Sequence, residues 1–251
     1  MTSRTELVDF LDELLAPDVS LDDASNNGLQ VAGTDTVRRI VFGVDACLAL
    51  FEAAANADFV VVHHGLSWGG GIERATGVTG DRLRSLFVHG VSLYASHLPL
   101  DRHPDVGHNA VIARELGIRD KVPFFPYHGT TIGWSGDLPE ARSVANIAEA
   151  LGTVLGANAR GIGDTERPVR RLGIVSGGGA DAVEICRKEG VECLITGEFT
   201  HRHHHLAAET DTPVIVGGHY ATETPGLREV MARVEKAFDV DCQFIDLPTG
   251  L

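Results

Sequence analysis

Apolar residues recur along the first part of the chain in two patterns, one typical of amphipathic helices and one typical of buried strands. Leucine and phenylalanine at helical spacing predict a helix over residues 4–15, with Pro17 shortly after it. Short β-branched runs predict buried strands that alternate with further helices. The predicted strands cover 40–44, 59–62 and 91–95, and the predicted helices cover 46–57, capped by Asp45, and 81–89.

The second part of the chain repeats this alternation after a segment that is dense in proline and glycine. That segment, residues 120–137, predicts a change of domain or an irregular crossover. Thr224 before Pro225 is a strong signal for the start of the last helix. The other predicted elements are strands at 171–175, 193–196 and 214–216, and helices at 140–151, at 180–189 and near 200–210.

The two halves can be laid on one another. In each half an Arg-Arg pair opens a strand, a helix follows, and the next strand ends in polar residues, at His63-His64 and at Glu198. We therefore predict an α/β fold of two similar three-layer α/β/α domains, intertwined or consecutive, related by internal duplication. Chance similarity between βαβ units is the alternative. The predicted domains are 1–120 and 121–251, and residues 217–251 are expected to return His219 and Glu223 to a shared cleft.

Composition and charge exclude several classes of protein. Hydrophobic residues make up 43% of the 251 residues and charged residues 22%, which is typical of a globular chain. The net charge of −14 counts against nucleic acid or an anionic membrane as partner. Of the 21 basic residues only three are lysine, which fits either codon bias or adaptation to high salt.

Cysteine usage and the N-terminal residues indicate a reduced, cytoplasmic protein. The four cysteines form no C-x-x-C pair, so neither a thiolate zinc site nor a disulfide framework is predicted. The first ten residues are acidic and amphipathic, unlike a signal peptide. No window approaches ~18 consecutive apolar residues, so no membrane span is expected.

Side chains able to bind metal follow the predicted strands of both halves. Ligands of open α/β sheets bind beyond the carboxyl ends of the strands, and imidazole with carboxylate suits Zn, Fe, Mn, Co or Ni. A single buried histidine is more often structural, but three His and acid clusters at such ends predict a metal site. The candidates are His63, His64, His97, Asp101, Glu198, His219 and Glu223.

Adjacent His63 and His64 point to opposite sides of a strand unless the chain turns there, and Gly65 makes that turn easy. A natural arrangement gives one histidine to each of two metals and bridges the metals with a carboxylate. The tract from Thr200 to His205 lies on a predicted helix, so its histidines cannot all face one point. We retain only His204 or His205 as residues that line the site.

Several motifs, in the same order along nearly the whole chain, resemble one known family. They are Asn26-Asn27-Gly28-Leu29-Gln30-Val31, His63-His64-Gly65, His97-x-x-x-Asp101 with Asn109, Thr196-Gly197-Glu198 and Gly218-His219-Tyr220-Ala221-Thr222-Glu223. They are similar to the NGG-interacting-factor-three-like, or YbgI-like, dinuclear metal proteins, often described as type 2 GTP cyclohydrolase I homologues. The chain resembles the short form of that family, and Gly65 stands where a proline is frequent.

The resemblance implies two divalent metal ions per subunit in the cleft of a two-domain subunit. It also implies a homo-oligomer, a toroidal hexamer. His97 is then a sixth ligand or a group that orients Asp101. The metal ligands implied by position are His63, His64, Asp101, His219 and Glu223, with Glu223 as the bridge.

Two functions remain open at this stage. The first is a metal-dependent hydrolase of a small molecule, with a nucleotide such as GTP as a candidate substrate. Glu198 or His97 would move protons, and Arg102 and Arg202 are candidates to hold phosphates. The second is a non-catalytic assembly that regulates, chaperones metal or binds a nucleotide. The residues do not distinguish among the candidate metals.

Overall fold

The structure is a computed structural model, and it describes residues 1–16 and 22–251. Pro17, which we expected just after the first helix, lies outside these residues. The chain divides into two compact units. Unit 1 comprises Met1–Leu100 and Leu227–Leu247, and unit 2 comprises Asp101–Gly226 and Pro248–Leu251.

The elements alternate between strands and helices through most of the chain. Residues 1–101 contain β1 (Thr2–Ser3), α1 (Arg4–Leu15), β2 (Gly28–Val31), β3 (Thr36–Val37), β4 (Arg39–Asp45), α2 (Leu48–Ala53), β5 (Phe59–His64), α3 (Gly77–His89), β6 (Ser92–Ala95) and α4 (Leu98–Asp101). Unit 2 continues with α5 (His108–Glu115), β7 (Arg119–Tyr127), β8 (Thr130–Ser143), α6 (Val144–Leu155), β9 (Arg160–Ile162), β10 (Pro168–Val175), a 3₁₀ turn (Gly179–Ala182), α7 (Val183–Cys186), β11 (Cys193–Thr196), α8 (His201–Glu209), β12 (Val214–Val216) and α9 (His219–Thr222). The last two elements are α10 (Pro225–Ala237) and β13 (Asp241–Phe244).

Unit 1 is built on a five-stranded sheet in the order β13-β4-β5-β6-β2. Strands β13, β4, β5 and β6 are parallel, and β2 pairs antiparallel with β6. Four successive residues of β5, Phe59 to Val62, are at most 1% exposed, as expected for a parallel strand covered on both faces. The parallel pairing brings the ends of β4, β5 and β6 to one edge of the sheet.

Unit 2 is built on a six-stranded sheet in the order β7-β8-β10-β11-β12-β9. Its centre, β10, β11 and β12, is parallel, and β8 and β9 flank it antiparallel. The amphipathic helix α6 buries Val144, Ile147 and Leu151, at i, i+3 and i+7, in the same apolar core as these strands. The ends of the three parallel strands again meet at one edge.

Several predictions at the level of elements were wrong, each for a local reason. Residues 120–137 are no crossover, because β7 and β8 form a long antiparallel hairpin, with Pro123 and Pro126 in the edge strand β7 and Gly129 in the turn. The strand β8 runs on to Ser143, whose hydroxyl caps α6, so the helix predicted from residue 140 starts four residues later. Asp45 ends β4 instead of capping α2, whose N-cap is Cys47.

The two compact units differ from the predicted division at residue 120. Helix α5 and the β7–β8 hairpin belong to unit 2, whereas α10 and β13 return to unit 1, where β13 pairs with β4. Strands β4, β5 and β6 of one sheet and β10, β11 and β12 of the other are parallel, and each set is followed by an antiparallel neighbour, β2 or β9. This is compatible with duplication, and the duplication itself stays a prediction. Among the described residues no helix is both long and apolar enough to span a bilayer.

Candidate metal centre

Three imidazoles come together at the strand ends of unit 1. His63 and His64 are the last residues of β5, and His97 follows β6. The ring centroids lie 4.6 Å apart for His63 and His64, and 5.1 Å apart for His63 and His97. One ring nitrogen from each of the three lies within 4.8 Å of those of the other two, so this group can hold a metal ion. The strand ends at His64, which allows two adjacent side chains to approach each other.

A loop before β2 holds His97 in place. The backbone N–H of His97 donates to Asn27 Oδ1 at 2.7 Å, and Asp23 Oδ1 lies 2.9 Å from His97 Nδ1. Asn27 Nδ2 also donates to the other oxygen of Asp23 at 2.9 Å. Burial raises the pKa of Asp23, but its hydrogen bonds with His97 and Asn27 outweigh burial and lower the pKa to about 2. Asp23 therefore stays ionised and holds its carboxylate against Nδ1 of the His97 ring.

The turn after His64 depends on a close approach between two segments. The Gln30 side chain occupies the space that a Cβ on Gly65 would need, and Gln30 Oε1 accepts the N–H groups of Leu66 and Ser67. A side chain at position 65 would displace the Gln30 amide and so disturb these two hydrogen bonds. Trp68 Nε1 donates to the Gly65 carbonyl at 2.8 Å and completes the turn.

In unit 2, a buried hydrogen-bond network fixes Asp101. This carboxylate, 5% exposed, accepts from Ser176 Oγ at 3.1 Å, just after β10. Asn109 Oδ1 accepts the N–H of Ser176 at 2.7 Å, and Asn109 Nδ2 donates to the carbonyls of Ile132 and Asp101 at 2.8 and 3.4 Å. A fully buried amide thus connects α4, β8 and β10, and it orients Asp101 without being a ligand itself.

The other functional group of unit 2 lies on α9. Glu223 follows this helix four residues after His219, and its Oε1 lies 3.2 Å from His219 Nε2. On the other side of the ring, Glu198 Oε1 lies 2.5 Å from His219 Nδ1. The hydrogen bond to Glu223 is the largest cause that raises the pKa of His219 to about 9, burial lowers it, and Glu198 adds to the rise.

The four histidines share one feature, the occupation of Nδ1. An oxygen acceptor lies at Nδ1 of each ring: Ser96 O at 2.9 Å for His63, Asp45 Oδ1 at 2.8 Å for His64, Asp23 Oδ1 at 2.9 Å for His97 and Glu198 Oε1 at 2.5 Å for His219. A proton held at Nδ1 leaves Nε2 to offer its lone pair. Metal-ligating histidines are oriented in this way by carboxylates and carbonyls.

Two other buried histidines of unit 2 are bonded differently. His108 Nδ1 accepts the backbone N–H of Gly226 at 3.0 Å, so the proton of the neutral ring lies on Nε2. His203 uses both nitrogens, with Thr200 Oγ1 at 2.8 Å and Asp181 Oδ1 at 2.6 Å. Neither histidine therefore has the arrangement of the other four, with the acceptor at Nδ1 and Nε2 left to offer its lone pair.

The sequence did not single out Asp23, Asp45 or His108 as residues near the candidate metal ligands. Asp45 alone had a usable signal, because it ends the strand beside β5 and pairs in register with His64. His204 and His205 are exposed on α8, and whether they line the site stays a prediction.

Comparison with known proteins gives the same family as the motifs do. The model of the family Duf34/NIF3 (NGG1p interacting factor 3) matches residues 2–249. The chain belongs to the Duf34/NIF3 family. A Pyrococcus horikoshii member, named GTP cyclohydrolase 1 type 2 homolog, is 43% identical over 251 residues, which cover 99% of each chain.

Two solved structures have the same fold as this Duf34/NIF3 protein. The protein ybgI, described as of unknown function, superposes with a TM-score of 0.90 at 34% identity, and each chain is covered completely. The protein TTHA1606 from Thermus thermophilus gives a TM-score of 0.89 at 37% identity, again with complete coverage. The α/β fold predicted from the sequence is thereby confirmed.

The donor atoms of each unit suit a divalent transition metal. Imidazole nitrogens and carboxylate oxygens are ligands for Zn, Fe, Mn, Co and Ni, and no cysteine belongs to either group. Two ligand atoms at about 2.1 Å from one tetrahedral ion lie about 3.4 Å apart. His219 Nε2 and Glu223 Oε1, at 3.2 Å, are close to that separation. The residues present therefore fit the metal that the family resemblance implies.

Proposed function

We propose that this Duf34/NIF3 protein is a metal-dependent hydrolase with a pair of divalent ions per subunit. The proposed ligands are His63 and His64 from unit 1 and Asp101, His219 and Glu223 from unit 2. The observation that carries the proposal is the occupation of Nδ1 in the four histidines, which leaves Nε2 for metal. His97 is proposed as an additional ligand.

When bound, the metal ions supply a water of lowered pKa and polarise the bond under attack. The chain supplies the orientation. Ser176 and Asn109 fix Asp101, and Glu198 fixes the plane of the His219 ring. Glu198 is also placed to hold or accept a proton at His219 Nδ1, since their atoms lie 2.5 Å apart.

A cavity in unit 2 supports a small-molecule substrate. It has a volume of about 680 Å³, within the range of ligand pockets, and Glu198, Thr200 and Arg160 line it together with Phe199 and Tyr220. Glu198 therefore belongs both to the cavity and to the hydrogen-bond pair with His219. Arg202 donates to Asp181 at 2.6 Å, which makes the exposed Arg160 the stronger candidate to bind a phosphate.

The name shared by the relatives makes GTP the first substrate to test. The experiment measures metal per chain on protein purified without chelator, in the wild type and in Glu223→Ala, and then screens hydrolysis on the same samples. We expect close to two ions in the wild type, fewer in the variant, and turnover that requires metal. Metal without turnover of any substrate would support the non-catalytic alternative, whereas no metal after reconstitution would contradict the proposal.

The assembly and location are separate proposals. The family resemblance implies a homohexamer, which light scattering coupled to gel filtration tests directly. A dimer or monomer at micromolar concentration would contradict it. A cytoplasmic location is proposed from the cysteines, because all four are free thiols, as is usual in a reducing compartment.

A further inference from the structure

One face of α8 carries metal-binding side chains that the proposed function does not use. At 100° per residue, His201, His204 and His205 lie within an arc of about 100° on this helix. All three are exposed, whereas His203 and Ala207 of the same helix are buried. The three histidines therefore form one solvent-exposed face, opposite the face that packs on the unit.

The start of α8 is fixed in orientation. His203 bonds to Thr200, the N-cap residue, and to Asp181, and Arg202 Nη2 donates to the same Asp181 oxygen at 2.6 Å. These bonds hold the first turn from the buried side. The exposed histidines consequently project from a rigid helix rather than from a loop, which lowers the entropic cost of holding an ion.

The spacing on this face is that of a chelating pair. His201 and His205 are related as i and i+4, their ring centroids lie 6.3 Å apart, and those of His204 and His205 lie 5.4 Å apart. Side chains at i and i+4 lie above one another on a helix, and two histidines at this spacing bind zinc in H-E-x-x-H helices. Glu209 is one further turn along, at i+4 from His205, and is also exposed.

We propose that His201 and His205, completed by His204 or Glu209, form a surface site for one divalent ion of the Cu²⁺, Ni²⁺ and Zn²⁺ class. Imidazole ligands suit these ions, and Cu²⁺ is expected to bind most tightly of the three. The site does not depend on the proposed hydrolase, because none of its residues is among the proposed ligands of the metal pair.

The test uses the full chain, first saturated with Zn²⁺ and freed of excess, and then titrated with Cu²⁺ or Ni²⁺ by calorimetry. The variant is His201→Gln with His205→Gln. The matched control is His89→Gln, which removes an isolated exposed histidine from α3. Circular dichroism of each protein verifies that the fold is retained, and the electron paramagnetic resonance spectrum of Cu²⁺ reports nitrogen ligation.

The expected result is one further ion per chain in the wild type and the control, with nitrogen coupling in the Cu²⁺ spectrum. In the double variant the affinity of that ion falls by about tenfold or more, and the coupling weakens. Equal affinity and stoichiometry in the wild type and the double variant would overturn the proposal, as would a wild type that binds no further ion. The proposed ligands of the metal pair are the same in the wild type, the control and the double variant, so the difference between these proteins reports on the α8 site alone.

Discussion

The two units place functional side chains at the same kind of position, just beyond parallel strands, but they supply different donors. Unit 1 contributes three imidazoles, whereas unit 2 contributes the carboxylates of Asp101 and Glu223 and one imidazole, His219. The supporting groups differ accordingly. Acceptors at Nδ1 hold the imidazoles of both units, and only unit 2 adds donors, Ser176 and Asn109, which hold Asp101. The edge of each sheet thus determines where the candidate metal ligands lie. The loops determine which hydrogen-bonding groups support them.

A substitution in the turn after β10 is expected to disrupt the candidate ligands of unit 2 without touching those of unit 1. Gly177 has φ of +60°, and a Cβ there would meet Glu223 Oε1 and lie 3.2 Å from His219 Nε2. Gly177→Ala is expected to lower the free energy of unfolding by about 1–3 kcal/mol and to abolish metal binding at Glu223, as measured by urea unfolding and metal analysis.

The neighbouring glycine is a matched control for that substitution. Gly178 has φ of −79°, and nothing lies within 4 Å of a Cβ built on it. Gly178→Ala should retain metal and stability. Equal losses of metal and stability in both variants would show that any side chain in this turn is disruptive, and would contradict the role of the contact with Glu223.

Substitution of the carboxylates that lie at Nδ1 of His64 and of His219 compares the two units directly. Asp45→Ala and Glu198→Ala each remove the acceptor at Nδ1, so the ring loses both its orientation and its basicity. We expect each to weaken metal binding about 10–100-fold, measured by competition with a chromophoric chelator. Glu140→Ala, which removes an exposed carboxylate from β8, serves as control. Unchanged affinity in both site variants would contradict the role of the Nδ1 acceptors.

In metal-free protein, His219 should make stability depend on pH. Its pKa is raised to about 9 by Glu223 and Glu198, above its ordinary value of 6.5, so protonated His219 stabilises the folded state. This contribution is fully present below pH 6.5 and is lost as pH rises through 9. The difference in unfolding free energy between wild type and His219→Asn, measured with chelator present, should shrink over that range. A constant difference would argue against the ion pairs.

Two serines that each follow a parallel strand, one in each unit, give the smallest expected contrast. Ser176 Oγ donates to Asp101, whereas the buried Ser96 Oγ has no hydrogen-bond partner among the described residues. Ser176→Ala should destabilise the chain by about 1 kcal/mol, and Ser96→Ala should be neutral or slightly stabilising. Thermal unfolding measures both, and the reverse order would contradict the assigned hydrogen bond.

The strands and the strand-end histidines were predictable because both are local signals. The run at 59–62 is β-branched and buried, and helix α1 has the predicted bounds, Arg4–Leu15. The supporting residues were not predictable in the same way. Asn27 and Asp23 contact His97 across 70 and 74 positions of the chain, and Gln30 contacts the turn at 66–67. Such contacts exist only after the sheet has formed, so no periodicity reveals them.

The β7–β8 hairpin escaped prediction for a different reason. Prolines and glycines at this density indicate a break in regular structure, yet Pro123 and Pro126 lie in β7 at the edge of the sheet. A proline at an edge removes no ladder hydrogen bond that the sheet needs. The high density of proline and glycine therefore led to the prediction of an irregular segment. An edge strand was also compatible with the same residues.

The most direct test of the central claim is an anomalous difference map from crystals of the full chain grown with Zn²⁺ and recorded at the zinc edge. We expect zinc bonded to Nε2 of His63, His64 and His219 and to carboxylate oxygens of Asp101 and Glu223. Zinc bonded through Nδ1 of these rings, or no anomalous peak at these residues, would contradict the claim.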